Sequence, residues 1–311
     1  MADTLDIRPL TPALQQKAIA ELNENPARIA EDLKTFKEWI LKQPHIRSRM
    51  DNQFLIAFLR GCKYSLEKAK KKLDGFYTMR SNFPDLFSSF VDEQTARAIM
   101  RMSIGAHLPL PLGEDGPRIV LMRPGHYDPD VISMYEIMKM DVLVNDWLML
   151  EDDHCVVSGF VHIIDFANFS AKHMLQFQPA RMKRIVYYSE EALPIRVKAS
   201  HLFNTGSTFE TIFGLMKPLL PDKVKERMIV HPNMESVYEK VPLKYFPKEY
   251  GGENSSIDEI IAAGEAMYIK YREYMAEEKL YGTDEKLRPG KPIDFESIFG
   301  LDGSFRKLEV D

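Results

Sequence analysis

The sequence predicts an α/β fold entered through an all-helical N-terminal region, and three observations carry that prediction. From Thr11 to about Phe87 apolar residues recur at helical spacing. Beyond about Ile104 short apolar runs bounded by turn residues take over, as in buried strands. The order of strand, helix and strand then calls for crossover helices around a mixed, mostly parallel sheet. In the first region Pro26 opens a helix, Ile29, Leu33, Phe36 and Ile40 share one face of it, and Pro44 closes it. Asp51 is placed to cap the next helix, which carries Phe54, Leu55, Phe58 and Leu59. A third helix runs from a Ser65 cap to about Asn82, and its lysines 68, 70, 71 and 72 read as a solvated face, with a membrane-facing patch as the alternative.

In the second region Arg118 to Met122, Ser158 to Asp165 and Ile195 to Phe203 read as strands. Between them, Val131 to Leu150 and Gln178 to Leu193 read as helices, the former with Asp146 set inside an apolar stretch. Pro247 to Gly252 is turn chemistry, Ser256 to about Tyr281 a final amphipathic helix, and Gly282 to Asp311 a wrapping or partly ordered extension. The 311 residues are 45% apolar, enough for a substantial core. A net charge of −5 argues against nucleic acid as a partner and makes any anion site a local patch.

The chemistry is defined first by what is missing. There is no Gly-x-Ser-x-Gly elbow, no phosphate loop and no Gly-x-Gly-x-x-Gly turn, so the sequence predicts a non-enzyme without cofactor or metal. Asp152, Asp153, His154 and Cys155 are adjacent and point in different directions, which does not suit a metal. His162 and His201 read as structural, and Cys62 and Cys155 as reduced, buried thiols. No signal-peptide core opens the chain and no apolar run reaches bilayer length, which predicts a cytoplasmic protein that meets membranes reversibly.

One join is informative. Phe209, Ile212, Phe213 and Met216 form a single helical stripe; Pro218 and Pro221 interrupt it, and Lys223 and Arg227 then lie four apart on the next helix, spaced to grip a phosphate.

With these landmarks in order, the chain resembles the CRAL-TRIO lipid-binding family. The segment Phe54-Leu-Ile-Ala-Phe-Leu-Arg60 followed by Ser65-Leu-Glu-Lys-Ala-Lys resembles the family's helical N-terminal motif. Arg118 to Asp128 resembles its first core strand, Gly159 to Phe166 the strand ending in Asp, Phe209 to Arg227 the mobile gate and basic helix, and Pro247 to Gly252 the closing turn. The resemblance implies a helical region over residues 1–90, a lipid-binding α/β/α domain over 91–255 and a C-terminal helix and tail over 256–311. It implies a hydrophobic cavity under a helical lid, lined by Phe160, Ile164, Phe169, Phe177, Ile185, Tyr188, Leu193 and Val197 and closed by Phe209, Ile212, Phe213, Met216 and Leu220. Arg196, Lys198, Lys223 and Arg227 fall at the positions that bind phosphoinositide phosphates in the family. Asp146 and Tyr188 are expected in or near the cavity, where an acid and a phenol would favour a retinoid, a sterol-like or terpenoid alcohol, or a carotenoid end group over α-tocopherol itself. The implied function is binding and transfer of a small hydrophobic lipid by a monomer, released when phosphatidylinositol bisphosphate engages the cations at a membrane. Phospholipid or phosphatidylinositol exchange, and phosphoinositide reading without transfer, are the alternatives.

Overall fold

A computed structural model describes residues 5–88, 91–291 and 293–299, apart from the side chains of Thr208, Ile212, Leu215, Met216, Leu219, Glu296 and Ser297. The helical region comprises α1 (Pro12–Leu22), α2 (Ile29–Leu41), a two-residue strand β1 (Ile46–Arg47), α3 (Asn52–Gly61), α4 (Leu66–Asn82) and the short α5 (Pro84–Phe87). Thr11 and Asp51 cap α1 and α3 by accepting from the amides of Leu14 and Phe54, at 3.3 and 2.8 Å. Ser65 makes no such bond, contrary to expectation: its ψ of 101°, against 145° at Asp51, turns the hydroxyl away from the first turn.

Helix α3 is enclosed on every side, with Phe54 through Gly61 all buried. Buried Arg60 donates to buried Glu24 at 2.8 Å, and the Tyr64 hydroxyl donates to the same carboxylate at 2.8 Å, so the charge is compensated where it lies.

Next come α6 (Glu93–Met102), β2 (Gly105–Leu108), β3 (Arg118–Met122), α7 (Met134–Glu151), α8 (Asp153–Ser158), β4 (Phe160–Asp165), α9 (Ala171–Leu175) and α10 (Pro179–Tyr187). Then follow β5 (Val197–Phe203), α11 (Ser207–Met216), α12 (Asp222–Arg227), β6 (Met228–Val230), α13 (Met234–Tyr238), α14 (Ile257–Lys270), α15 (Arg272–Ala276), β7 (Gly282–Thr283) and α16 (Phe295–Phe299). The main sheet has the order β2-β3-β4-β5-β6, with only the β2–β3 pair antiparallel, which is the mixed, mostly parallel α/β arrangement expected.

Three boundaries differ from the sequence reading. Ser158 ends a helix rather than starting a strand, because Asp152 caps α8 through the Cys155 amide at 3.0 Å and Gly159 makes the turn at φ 82°. Helix α10 stops at Tyr187 and continues as a wider π turn to Ala192. The last long helix breaks at Tyr271, and β7 pairs with β1, returning the chain to the helical region. There Arg288 forks onto Asp74 at 2.6 and 2.9 Å.

A parallel sheet is covered on both faces, and the register separates them. Ala106, Leu108, Ile119, Leu121, Val161, Ile163 and Phe203 pack on one face against Val237, Val241 and Phe246. The opposite face presents His107, Val120, Met122, Phe160, His162, Ile164, Ser200 and Leu202, paired across neighbouring strands.

Candidate lipid-binding site

The second face is where the structure departs from an ordinary core. Ile164, Met122 and His162 keep accessible surface although they lie on interior strands, and along α10 no residue is fully buried. Desolvation nevertheless holds the His107 and His162 imidazoles down to about 4, so both are neutral. The face therefore carries accessible apolar surface beside two neutral imidazoles.

Aromatic rings line one end of it. Phe213 stacks on Phe209 at 5.3 Å; Phe209 meets Phe166 at 4.5 Å, Phe166 meets Phe169 at 5.3 Å, and Phe169 meets Phe177 at 6.2 Å. This chain of contacts runs from α11 to the loop before α10 and brings Phe169, Phe177, Phe209 and Phe213 together. Phe166 is the link that sequence reasoning missed; a phenylalanine directly after a strand carried no signal of its own. Leu220 is half-buried beyond α11. The side chains of Ile212 and Met216 lie outside the described residues. Val197 pairs with Phe160 at the start of β5 and is half-buried.

A second group of the proposed residues packs into a buried cluster, Phe160 from the same sheet face as His162 and Ile164. Phe160, Ile185, Tyr188 and Leu193 belong to the core shared with the helical region, where Tyr188 stacks on Phe87 at 4.4 Å and on Phe76 at 6.2 Å. Arg80 reaches this point from α4. Its guanidinium donates to both Asp146 oxygens at 2.9 and 2.6 Å and to the Tyr188 hydroxyl at 3.1 and 2.8 Å, over the Phe76 ring at 3.9 Å. Burial raises the Asp146 carboxyl above its usual value while Arg80 pulls it back. The expectation that Asp146 and Tyr188 serve a cargo is therefore corrected: both are bonded to an arginine 66 and 108 residues earlier in the chain.

The four cations are not gathered in one cleft either. Lys223 and Arg227 converge on Glu190, at 2.6 and 3.7 Å. Lys198 lies 4.0 Å from Glu21. Arg196 is turned inward: its guanidinium donates to the carbonyls of Arg60 at 2.9, Gly61 at 3.2, Val156 at 3.3 and Val157 at 2.5 Å, and burial lowers its pKa. A guanidinium with five donors suits a nest of carbonyls, which is why a position expected to face phosphate instead joins α3 and α8 to the sheet. Lys72 adds a cation close to Glu190 by donating to the Glu190 and Leu193 carbonyls at 2.8 and 2.7 Å.

Residues 111–252 match the CRAL/TRIO domain, and residues 25–90 match the Pinta-like, UBA domain. The chain contains a CRAL/TRIO domain. Among its relatives, the human "Alpha-tocopherol transfer protein-like" is 26% identical over 268 residues, 84% of this chain and 78% of that protein. Rat "Clavesin-1" is 28% identical over 247 residues, 78% and 69% of the two chains. A solved structure titled "Crystal structure of Sfh5" overlays with a TM-score of 0.44 at 13% identity, over 69% of this chain and 76% of that one.

CRAL-TRIO proteins bind and transfer lipophilic ligands, and the matched segment holds the apolar residues and the four cations singled out in the sequence. The Arg80–Asp146 pair crosses from the helical segment into the CRAL/TRIO segment. No group of His, Cys, Asp and Glu among the described residues is arranged to hold a metal, and no described helix is long and apolar enough to cross a membrane. His201 is spent on His231 at 2.9 Å, and Asp152 on Arg118 at 2.5 Å. Cys62 and Cys155 are buried and unpaired with each other.

Proposed function

We propose that this CRAL-TRIO chain carries one small hydrophobic lipid between the sheet, α7 and α10 under α11, and exchanges it at membranes that display phosphatidylinositol bisphosphate. The observation that carries the reading is the aromatic chain from Phe213 to Phe177, which gives the lid an apolar underside continuous with the wall. Removing apolar surface from water stabilises such a cargo by about 25 cal/mol per Å² without any chemistry on it, so the protein acts as a carrier and not as an enzyme.

Lys223 and Arg227 are the headgroup contacts in this reading, with Lys72 nearby in the electrostatic field, Lys198 apart beside Glu21 and Arg196 as a structural anchor. A phosphate taking the place of Glu190 would bind α12, the helix that follows the lid, so engagement and lid opening share one segment. The association is peripheral and reversible, by a cytoplasmic monomer.

The double variant K223E/R227E is expected to lose binding to phosphatidylinositol bisphosphate vesicles by at least about tenfold in co-sedimentation, since each charge-assisted bond contributes about 1.5–3 kcal/mol. Loading with lipid should be unchanged. Undiminished vesicle binding would remove these two residues from the headgroup site. Native mass spectrometry of the lipid-loaded protein distinguishes a terpenoid-type cargo from a whole phospholipid, and a vesicle-to-vesicle transfer assay distinguishes a carrier from a reader that moves nothing.

A further inference from the structure

We infer that α16 is a clasp: packed across the junction of α4 and α10, it holds the carrier closed, and its release speeds cargo exchange. This inference rests on the lipid-carrying reading above.

The chain reaches that junction along a line of anchors. The Arg49 guanidinium lies over the Tyr281 ring at 4.5 Å, β7 pairs with β1, the Asp284 amide donates to the His45 carbonyl at 2.9 Å, and Arg288, its side chain 7% exposed, forks onto Asp74 of α4. The attachment then changes in kind. Helix α16 has five residues, too few to persist on its own, so its order comes from what it packs against. Phe295 and Phe299 meet the Phe83 ring edge-on at 5.1 and 5.9 Å, Phe299 meets Tyr187 edge-on at 5.3 Å, and the Arg184 guanidinium lies over Phe83 at 4.4 Å. Phe299 is 4% exposed and Ile298 beside it 40%, so the helix has a docked face and an open one.

Phe83 follows α4, and Arg184 and Tyr187 belong to the last turn of α10, so α16 bridges the helical region and the helix on the cargo side. No residue of α10 is fully buried, and a helix with so little burial of its own depends on its cover. Past Tyr187 the chain enters the π turn, where Glu190 meets Lys223 and Arg227 of α12 and Lys72 of α4 donates to the Glu190 carbonyl. Helix α12 in turn follows α11. The clasp and the lid therefore lie on one run of packed elements: α16 holds α10, the π turn after α10 holds α12, and α12 follows the lid. With Phe295 and Phe299 docked, the end of α10 is pinned to α4. With them withdrawn, that turn loses its cover and the space behind it opens more readily.

The test loads full-length protein with nitrobenzoxadiazole-labelled farnesol, and separately with nitrobenzoxadiazole-labelled phosphatidylcholine, and follows release to phosphatidylcholine vesicles with and without phosphatidylinositol bisphosphate. F295A/F299A is expected to release the probe it carries to plain vesicles about tenfold faster than wild type, and so to gain less from the added phosphoinositide. Ile298→Ala, on the open side of α16, and Val237→Ala, buried on the far face of the sheet, should keep the wild-type rate. Hydrogen exchange on wild type tests the same point without a variant: phosphatidylinositol bisphosphate vesicles should speed exchange in α16 and the last turn of α10 together with α11. A wild-type rate in F295A/F299A, an equal acceleration in Val237→Ala, or α16 amides that stay protected while α11 opens overturns the clasp and leaves the carrier reading intact. Folded wild type that moves neither probe overturns both.

Discussion

Asp146→Ala is expected to lower the melting temperature by about 10 °C while leaving the cargo preference of the folded protein unchanged. The side chain of Asp146 is fully enclosed and that of Arg80 is 9% exposed. Removing the carboxylate leaves a buried guanidinium with the Tyr188 hydroxyl and a 3.8 Å approach to Glu278, and an uncompensated buried charge costs about 3–5 kcal/mol. The pairing joins α4 to α7, so the loss falls on the docking of the helical region. Replacing both partners, as in R80M/D146L, should recover most of the stability, because no charge is then left alone. Thermal melts of the single and double variants check this. A single variant that melts with wild type, or one with altered lipid selectivity, would return Asp146 to the cargo site.

Gly61→Ala is expected to be equally damaging, for a steric reason. A Cβ at Gly61 would sit 2.0 Å from the Pro194 carbonyl oxygen and 2.8 Å from its carbonyl carbon, and a backbone neighbour cannot rotate aside. Helix α3 would have to withdraw from the turn that leads into β5, and the Arg196 bond to the Gly61 carbonyl would go with it, for a loss of about 3 kcal/mol or more. Gly75→Ala in α4 is the control. Its nearest neighbour, the Glu191 carbonyl, is at an ordinary 3.5 Å, and alanine in a helix interior gains up to about 1 kcal/mol over glycine. Urea denaturation and limited proteolysis should separate the two variants clearly; equal stability would mean that α3 can shift without cost.

Much of this architecture was legible because it is written locally. The 3.6-residue period of Ile29, Leu33, Phe36 and Ile40, the cap at Asp51 and the short apolar strands each depend on neighbours a few residues away. The site was legible only in part, because direction depends on distant partners. Asp141 and Asp146 are acids in the same apolar helix, five residues apart and so on different faces. Only the arrival of Arg80 decides that Asp146 is buried toward the helical region while Asp141 stays exposed. Arg196 was misread for a similar reason: strand alternation gives the side on which a long side chain starts, not the carbonyls at which it ends.

Glu190 gives the basic patch a resident counter-anion. Lys223 and Arg227 share this one carboxylate, which offsets half of their charge, so an incoming phosphate would displace a tethered carboxylate as well as mobile ions. Membrane association should accordingly vary less steeply with ionic strength in wild type than in Glu190→Gln, where both cations would stand in open electrolyte with a Debye length of about 8 Å at physiological salt. In the proposed function the carboxylate would act as an internal competitor, favouring multiply charged headgroups over singly charged anionic lipids.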